Sequence, residues 1–205
     1  YFLDGVMQEF IDKTNGKDSM IRTHRHAKKG RALGLGVMGW HTFLQQKNLP
    51  FNSISSTAWT HTIFSDIKMK AEAASRKLAE EYGEPLWCKG TGMRNTHLLA
   101  IAPTVSNSRI NSCSAGIEPQ PANIYTFNGA KGTFIVKNPE LEKVLEEKGH
   151  NTDKVWDQIL TDGGSVVNLP HEVLTEEEKE VFLTFPEINQ LGLVQQAANR
   201  QQYID

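Results

Sequence analysis

Between Pro103 and Ser112 the chain holds a run of small hydroxyl and amide side chains that could bind an anion. The run follows an apolar segment, and its residues could form the start of a helix. The first N–H groups of a helix lack internal partners and the dipole's positive end adds its field, so a phosphate can bind there. The candidate ligands are Thr104, Val105, Ser106, Asn107 and Ser108. Composition alone equally allows an ordinary serine-rich helix cap.

Residues 34–39 fit the GxGxxG pattern of dinucleotide-binding folds, which require a strand before the glycines and a helix after them. The preceding residues 23–30 are too polar for a central strand. The glycines also fall within an apolar helical period, because Leu33, Val37 and Trp40 recur at helical spacing. We therefore expect one closely packed helix over residues 31–46, and a dinucleotide-dependent oxidoreductase is the less favoured alternative.

The histidines and cysteines form no recognisable metal or redox motif. His24 and His26 make an HxH pair without a third ligand at a typical spacing, and two lysines follow closely, so a solvated polar loop is favoured. Cys88 and Cys113 lie in no CxxC or Cys/His pattern. We expect no metal site and no disulfide, with both thiols free.

Bulk composition excludes two classes of partner. The 22 Lys and Arg against 24 Asp and Glu give a formal net charge of -2, so the chain lacks the positive field of a nucleic-acid binder. Its apolar runs are far shorter than the roughly 20 residues that span a bilayer, and the N-terminus shows no signal pattern. The expected location is the cytoplasm, with neither nucleic acid nor membrane as a partner.

The elements that must position the candidate residues follow from periodicity and from helix caps. A short amphipathic helix over residues 1–13 would bury Phe2, Val6, Phe10 and Ile11, and a long helix over residues 57–82 would end at Gly83. The apolar run of residues 97–102 indicates a buried strand that leads into the anion-binding candidate. Residues 124–136 indicate a hairpin. Further helices are expected over residues 139–148, 152–161, 175–182 and 187–203.

Two segments resemble the large, catalytic subunit of ribonucleotide reductases. The first runs from Gly92 to Thr104 and continues through Ser-Asn-Ser at residues 106–108 and Gly-Ile-Glu-Pro at residues 116–119. The second, residues 31–39, is similar to the RRxLGxG segment of that family and accounts for the dinucleotide-like glycines. The resemblance implies an α/β fold. Residues 1–205 would be a single partial domain of the family's ten-stranded α/β barrel, helix-rich with a few central strands and one hairpin.

The resemblance also assigns a binding role to the anion-binding candidate. In that family the matching loop receives the diphosphate of a ribonucleoside diphosphate. The implied phosphate ligands are thus Thr104, Ser106, Asn107 and Ser108. Val105 would contribute only its N–H, since an apolar side chain stands here where relatives often carry an acidic residue. The implied activity is thiyl-radical reduction of ribonucleotides to deoxyribonucleotides for DNA synthesis. Neither cysteine matches the family's radical-cysteine motif, so no catalytic residue is expected in this chain.

Cofactors and partners follow from the same resemblance, to a class I-like enzyme. We expect no cofactor on this segment, whereas the complete enzyme would need a radical-generating small subunit, a dithiol reductant and ATP or deoxynucleoside triphosphate effectors. The remainder of the large subunit would be a further partner, and the complete large subunit would be a homo-oligomer. The chain starts at Tyr1 without Met and stops inside an expected helix, so we expect a fragment that is inactive alone. The alternative is a non-catalytic structural subunit or nucleotide-binding module derived from the same fold.

Overall fold

A computed structural model describes residues 1–129 and 132–205 and groups them into two compact units. The first unit contains Tyr1–Gly36, Thr60–Ala102 and Ala198–Asp205, and the second contains Val37–Trp59 and Pro103–Ala197. The expectation of a single partial domain over residues 1–205 stays a prediction.

Helices dominate the part of the chain that the structure describes, and one hairpin accompanies them, as expected. In chain order the helices are α1 (Phe2–Thr14), α2 (Ile21–Gly30), α3 (Trp40–Gln46), α4 (Ile54–Tyr82), α5 (Val105–Ile110), α6 (Pro139–Glu147), α7 (Asp153–Thr161), α8 (Glu176–Val181) and α9 (Gln190–Gln201). Strands β1 (Ile124–Gly129) and β2 (Gly132–Lys137) pair antiparallel, with Phe127 opposite Phe134. Short 3-10 turns lie at Asp18–Met20 and Leu86–Cys88.

Helix α1 confirms the predicted element but only part of its predicted buried face. It ends at Thr14, and Gly16 follows with a φ of 72°, the left-handed conformation that suits glycine. Phe2 is 81% exposed and Val6 48% exposed. Ile11 is buried as predicted, and the rest of the buried face consists of Asp4 and Thr14. A polar contact network, described below, holds Asp4 in the interior.

The predicted helix over residues 31–46 is wrong in its first half. Residues 31–39 are not helical, and α3 begins only at Trp40. Leu35 forms a parallel bridge with Leu99, in which Leu35 donates to the Leu98 carbonyl and accepts from Ala100 N at 2.8 and 3.0 Å. A Cβ on Gly36 would overlap the Ala100 carbonyl oxygen. The glycines therefore permit close backbone approach in an extended segment, and the apolar spacing that suggested a helix is coincidental.

The strand expected over residues 97–102 is only partly realised. Leu98 and Leu99 are buried, but the described residues contain a single bridge at Leu99 rather than a regular ladder. Ala102 is already exposed. The segment thus leaves the interior one or two residues before Pro103.

The second half of the chain follows its predicted elements closely. Helices α6, α7 and α8 each begin after a capping side chain that accepts a first-turn N–H, from Asn138, Thr152 and Thr175 respectively. Thr175 and Glu178 complete a capping box. These helices and β1 bury an apolar core that includes Leu141, Leu145, Trp156, Ile159, Val166, Leu174 and Phe182. The long helix α4 and the last helix α9 are confirmed as well, with ends shifted by a few residues.

Candidate functional site

The predicted anion-binding residues form the first turn of helix α5. Thr104 is the N-cap, and the first intrahelical hydrogen bond runs from Ser108 N to the Thr104 carbonyl at 2.8 Å. The N–H groups of Val105, Ser106 and Asn107 therefore precede the helical ladder. All three residues are exposed, and Val105 is 54% exposed. A helix therefore begins at this point of the sequence, as the anion-binding interpretation requires, and its first turn faces solvent.

The three hydroxyls of this turn differ in their surroundings. The Thr104 hydroxyl oxygen accepts from Gly116 N at 2.8 Å. The Ser108 hydroxyl donates to the Val105 carbonyl at 3.0 Å, and Ser108 is buried. Ser106 is exposed. Thr104 and Ser108 thus fix the shape of the turn, whereas the Ser106 side chain is accessible to solvent.

The residues after α5 tie its turn to the start of helix α3. Gly39 N donates to the Ser114 carbonyl at 2.8 Å, and Trp40 N donates to the Gly116 carbonyl at 3.2 Å. Thr42 N donates to the Ser114 hydroxyl, and Ser114 N donates to the Thr42 hydroxyl, at 3.2 and 2.8 Å. Residues 114–116 therefore supply the N-terminal cap of α3. Gly39, at a φ of 77°, makes the turn that this requires.

His41, on α3, lies fully buried behind this loop. Its Nδ1 accepts from Gln120 N at 2.9 Å, so the ring is held in the form with the proton on Nε2. Burial lowers the pKa of His41 to about 4, and a hydrogen bond to the Val181 backbone only partly opposes that effect. His41 is neutral at physiological pH and serves as a fixed acceptor for the segment that follows Glu118. Sequence reasoning missed His41 and Ser114, because their partners are far away along the chain.

Arg109 connects the end of α5 to the hairpin. Its guanidinium lies 4.0 Å from the centre of the Phe127 ring on β1, a cation–π contact. This contact helps to hold α5 against β1.

A second polar cluster lies in the other unit, where it joins the two segments that carry the family resemblance. The Arg31 guanidinium donates to both Asp4 carboxylate oxygens at 2.9 Å. The Asn95 amide donates to Asp4 at 2.9 Å and to the Arg31 carbonyl at 3.0 Å. Ser75 donates to Asn95 at 2.8 Å. Arg31, Asn95 and Asp4 are each at most 5% exposed.

The charge of Asp4 is stabilised by this arrangement. Burial alone would raise the pKa of Asp4, but the hydrogen bonds from Arg31 and Asn95 and the charges of Arg31 and Arg94 outweigh it, so the pKa lies below its ordinary value. The Arg31, Asn95 and Asp4 side chains bond to one another. The cluster therefore has a structural role, because it connects α1 to the segments that contain Arg31 and Asn95.

The histidines, cysteines and glycines of the sequence patterns take structural positions. His24 and His26 lie on α2, so the predicted loop is wrong. His24 Nδ1 lies 3.1 Å from the Thr14 hydroxyl, and the His26 ring packs edge-on against Trp87. No three candidate metal ligands cluster within residues 1–129 and 132–205. Helix α2, rather than a strand, precedes residues 34–39, so the context that dinucleotide binding requires is missing there.

Both thiols are free. Cys88 is buried and Cys113 is half-buried, and burial raises the pKa of each thiol. A raised pKa disfavours the reactive thiolate. No helix in the described ranges is long and apolar enough to cross a membrane.

Comparison with known proteins identifies the family. The model of the ribonucleotide reductase barrel domain matches residues 5–90 and 86–205, and the chain belongs to this family. A class Id ribonucleotide reductase alpha subunit from Actinobacillus ureae superposes with a TM-score of 0.92 at 48% identity, covering 100% of this chain and 37% of that one. The fold is therefore part of the reductase barrel.

Curated relatives carry the same family name. The ribonucleoside-diphosphate reductase large subunits of Invertebrate iridescent virus 6 and Invertebrate iridescent virus 3 are 38% and 39% identical over 99% and 100% of this chain. The large subunit from Danio rerio is 30% identical over 87% of it. The matched regions are only 21%, 32% and 26% of these three proteins. The chain thus spans between a fifth and a third of these relatives.

Proposed function

We propose that this chain is the part of a ribonucleoside-diphosphate reductase large subunit that binds the substrate's diphosphate, at the first turn of α5. The observation that carries the proposal is the exposed turn with three N–H groups ahead of the helical ladder, Val105 to Asn107. It lies in a chain of the reductase barrel family, whose curated relatives are named ribonucleoside-diphosphate reductase large subunits.

Each residue of the turn has its own part in this proposal. Val105, Ser106 and Asn107 donate N–H groups to phosphate oxygens, and Ser106 adds its hydroxyl. The Thr104 oxygen accepts from Gly116 N, and its own hydrogen can still be donated to a phosphate oxygen. The Ser108 hydroxyl tightens the turn through Val105, and contacts phosphate only if it rotates away from that carbonyl.

The complete protein would replace the ribose 2′-hydroxyl of the substrate with hydrogen. The hydroxyl leaves as water, and a dithiol supplies two electrons and becomes a disulfide. In this proposal the remainder of the large subunit supplies the radical cysteine, a small subunit generates the radical, and ATP or deoxynucleoside triphosphates act as effectors. Cys88 and Cys113 take no part in this proposal, because neither matches the radical-cysteine motif of the family.

Calorimetric titration of the chain with CDP and ADP tests the site. Ser106→Asp places a carboxylate at the second position of α5, where the helix dipole favours it, so the fold is retained. The same carboxylate repels a diphosphate. We expect at least about tenfold weaker binding than in the wild type, because two like charges a few ångströms apart repel strongly near a protein surface.

The matched control is Gln195→Glu, which makes the same change in net charge at an exposed position of α9. We expect it to bind like the wild type. Equal binding by Ser106→Asp and the wild type would contradict the site. Diphosphate binding without turnover by the complete subunit, supplied with a radical-generating subunit and dithiol, would instead favour the non-catalytic module.

A further inference from the structure

One face of the first unit is apolar and exposed. Phe2, Val6 and Phe10 recur every four residues along α1, so they form one apolar stripe. The first two are 81% and 48% exposed, and Phe10 is half-buried. A contiguous exposed apolar stripe is typical of a surface that contacts another polypeptide.

A groove beside this stripe extends the apolar surface onto α2. Its volume is about 570 Å³, and its lining includes the apolar residues Met7, Phe10, Ala27 and Ala32 and the polar residues Arg22 and His26. All of these residues belong to one compact unit. Together, the stripe, the groove and the outer surface of α2 are called the α1–α2 face.

The outer surface of α2 is strongly cationic. Arg22, Arg25 and Lys29 follow at helical spacing and share one face over about 10 Å, given the rise of an α-helix. No acidic residue lies on α2. Among residues 1–129 and 132–205, none of these three cations takes part in an ion pair.

We infer that the α1–α2 face binds an acidic amphipathic segment of the large subunit from outside this chain. The inference rests on the proposed function. The apolar side chains of the bound segment would fill the groove and cover Val6, and the carboxylates of that segment would pair with Arg22 and Arg25. The remainder of a large subunit is the favoured occupant because the matched relatives are three to five times longer than this region. A segment tethered to the same polypeptide also binds at high effective concentration.

Thiol labelling of Val6→Cys, in this chain and in the complete large subunit, tests the inference. The same proteins unfolded in guanidinium give the reference rate for a fully open thiol, and the wild-type proteins give the background from Cys88 and Cys113. We expect near-reference labelling in this chain. In the complete subunit we expect labelling at least about tenfold slower, because a covered site reacts only on local opening.

Charge reversal separates an acidic occupant from any other. In the complete subunit, Arg22→Glu/Arg25→Glu should restore labelling of Cys at position 6 by about tenfold, because like charges would then face each other. The matched control, Lys77→Glu/Lys154→Glu, changes two exposed lysines elsewhere and should leave the protection intact. Equal labelling in the chain and the complete subunit overturns the inference. Protection that survives charge reversal overturns the acidic occupant. Neither result bears on CDP binding, which tests the proposed function separately.

Discussion

Two polar sites of this chain, the Asp4–Arg31–Asn95 cluster and the first turn of α5, place their polar groups in opposite situations. In the Asp4–Arg31–Asn95 cluster, charged and amide groups are almost entirely buried and bond to one another. In the first turn of α5, the N–H groups of Val105, Ser106 and Asn107 precede the helical ladder at an exposed surface. A polar group whose bonds are made inside the protein stabilises the fold, whereas one that faces solvent with its donors aligned can bind a ligand. Residues of both sites lie in the segments that carry the family resemblance, so resemblance alone does not separate these roles.

Breaking the buried cluster should have the largest effect. Arg31→Met leaves the Asp4 carboxylate buried without its main partner, and we expect a loss of about 3–5 kcal/mol in the free energy of unfolding. Urea denaturation followed by circular dichroism measures it. Lys13→Met, which breaks an exposed ion pair with Glu9, should leave the urea midpoint unchanged. A cost for Arg31→Met as small as that of the control would show that the cluster is not structural.

Acid should remove the stabilising contributions of His41 and Asp4 in different pH windows. His41 has a folded pKa of about 4 against an ordinary 6.5, so its contribution is complete above pH 6.5 and is lost as pH falls towards 4. The loss should reach about 3 kcal/mol at pH 4. The pKa of Asp4 lies below 3.8, so its contribution is lost only at still lower pH.

Urea titrations at pH 7.5, 5.5 and 4.5 measure this dependence. His41→Asn keeps an acceptor for Gln120 N but cannot titrate, so its stability should be flatter between pH 7.5 and 4.5. The same slope in the variant as in the wild type would mean that another group causes the acid sensitivity.

A smaller effect should follow from weakening the contact between the residues after α5 and the start of α3. Ser114→Ala removes the hydroxyl that accepts Thr42 N at the start of α3, and we expect a loss of about 1 kcal/mol in the free energy of unfolding. Ser55→Ala, at an exposed position of α4, is the matched control and should be nearly neutral. Urea midpoints compare the two, and equal midpoints would argue against a supporting role for Ser114.

Elements set by local signals were predicted well from the sequence. The hairpin and helices α6, α7 and α8 follow from strand patterns and from caps such as Asn138 and Thr175, whose partners lie within a few residues. The long helix α4 and its end before Gly83 are also local.

The errors arose where distant residues decide the conformation. Residues 31–39 are extended because Leu35 and Gly36 lie against the segment around Ala100, more than 60 positions away in the sequence. Asp4 occupies the buried face of α1 because Arg31 neutralises its charge and Asn95 donates a hydrogen bond to it. No helical period contains that information. For the candidate site, the sequence identified the turn, but neither the inward hydroxyl of Ser108 nor the support from His41 could be read from it.

The most direct test of the central claim follows the backbone amides by NMR while ADP is added to the chain. We predict that the amide resonances of Val105, Ser106 and Asn107 shift and saturate together, and that those of Asn95 and Arg31 stay in place. Unshifted α5 amides at saturating ADP, or shifts confined to other residues, would contradict the proposal that this turn binds the substrate's diphosphate.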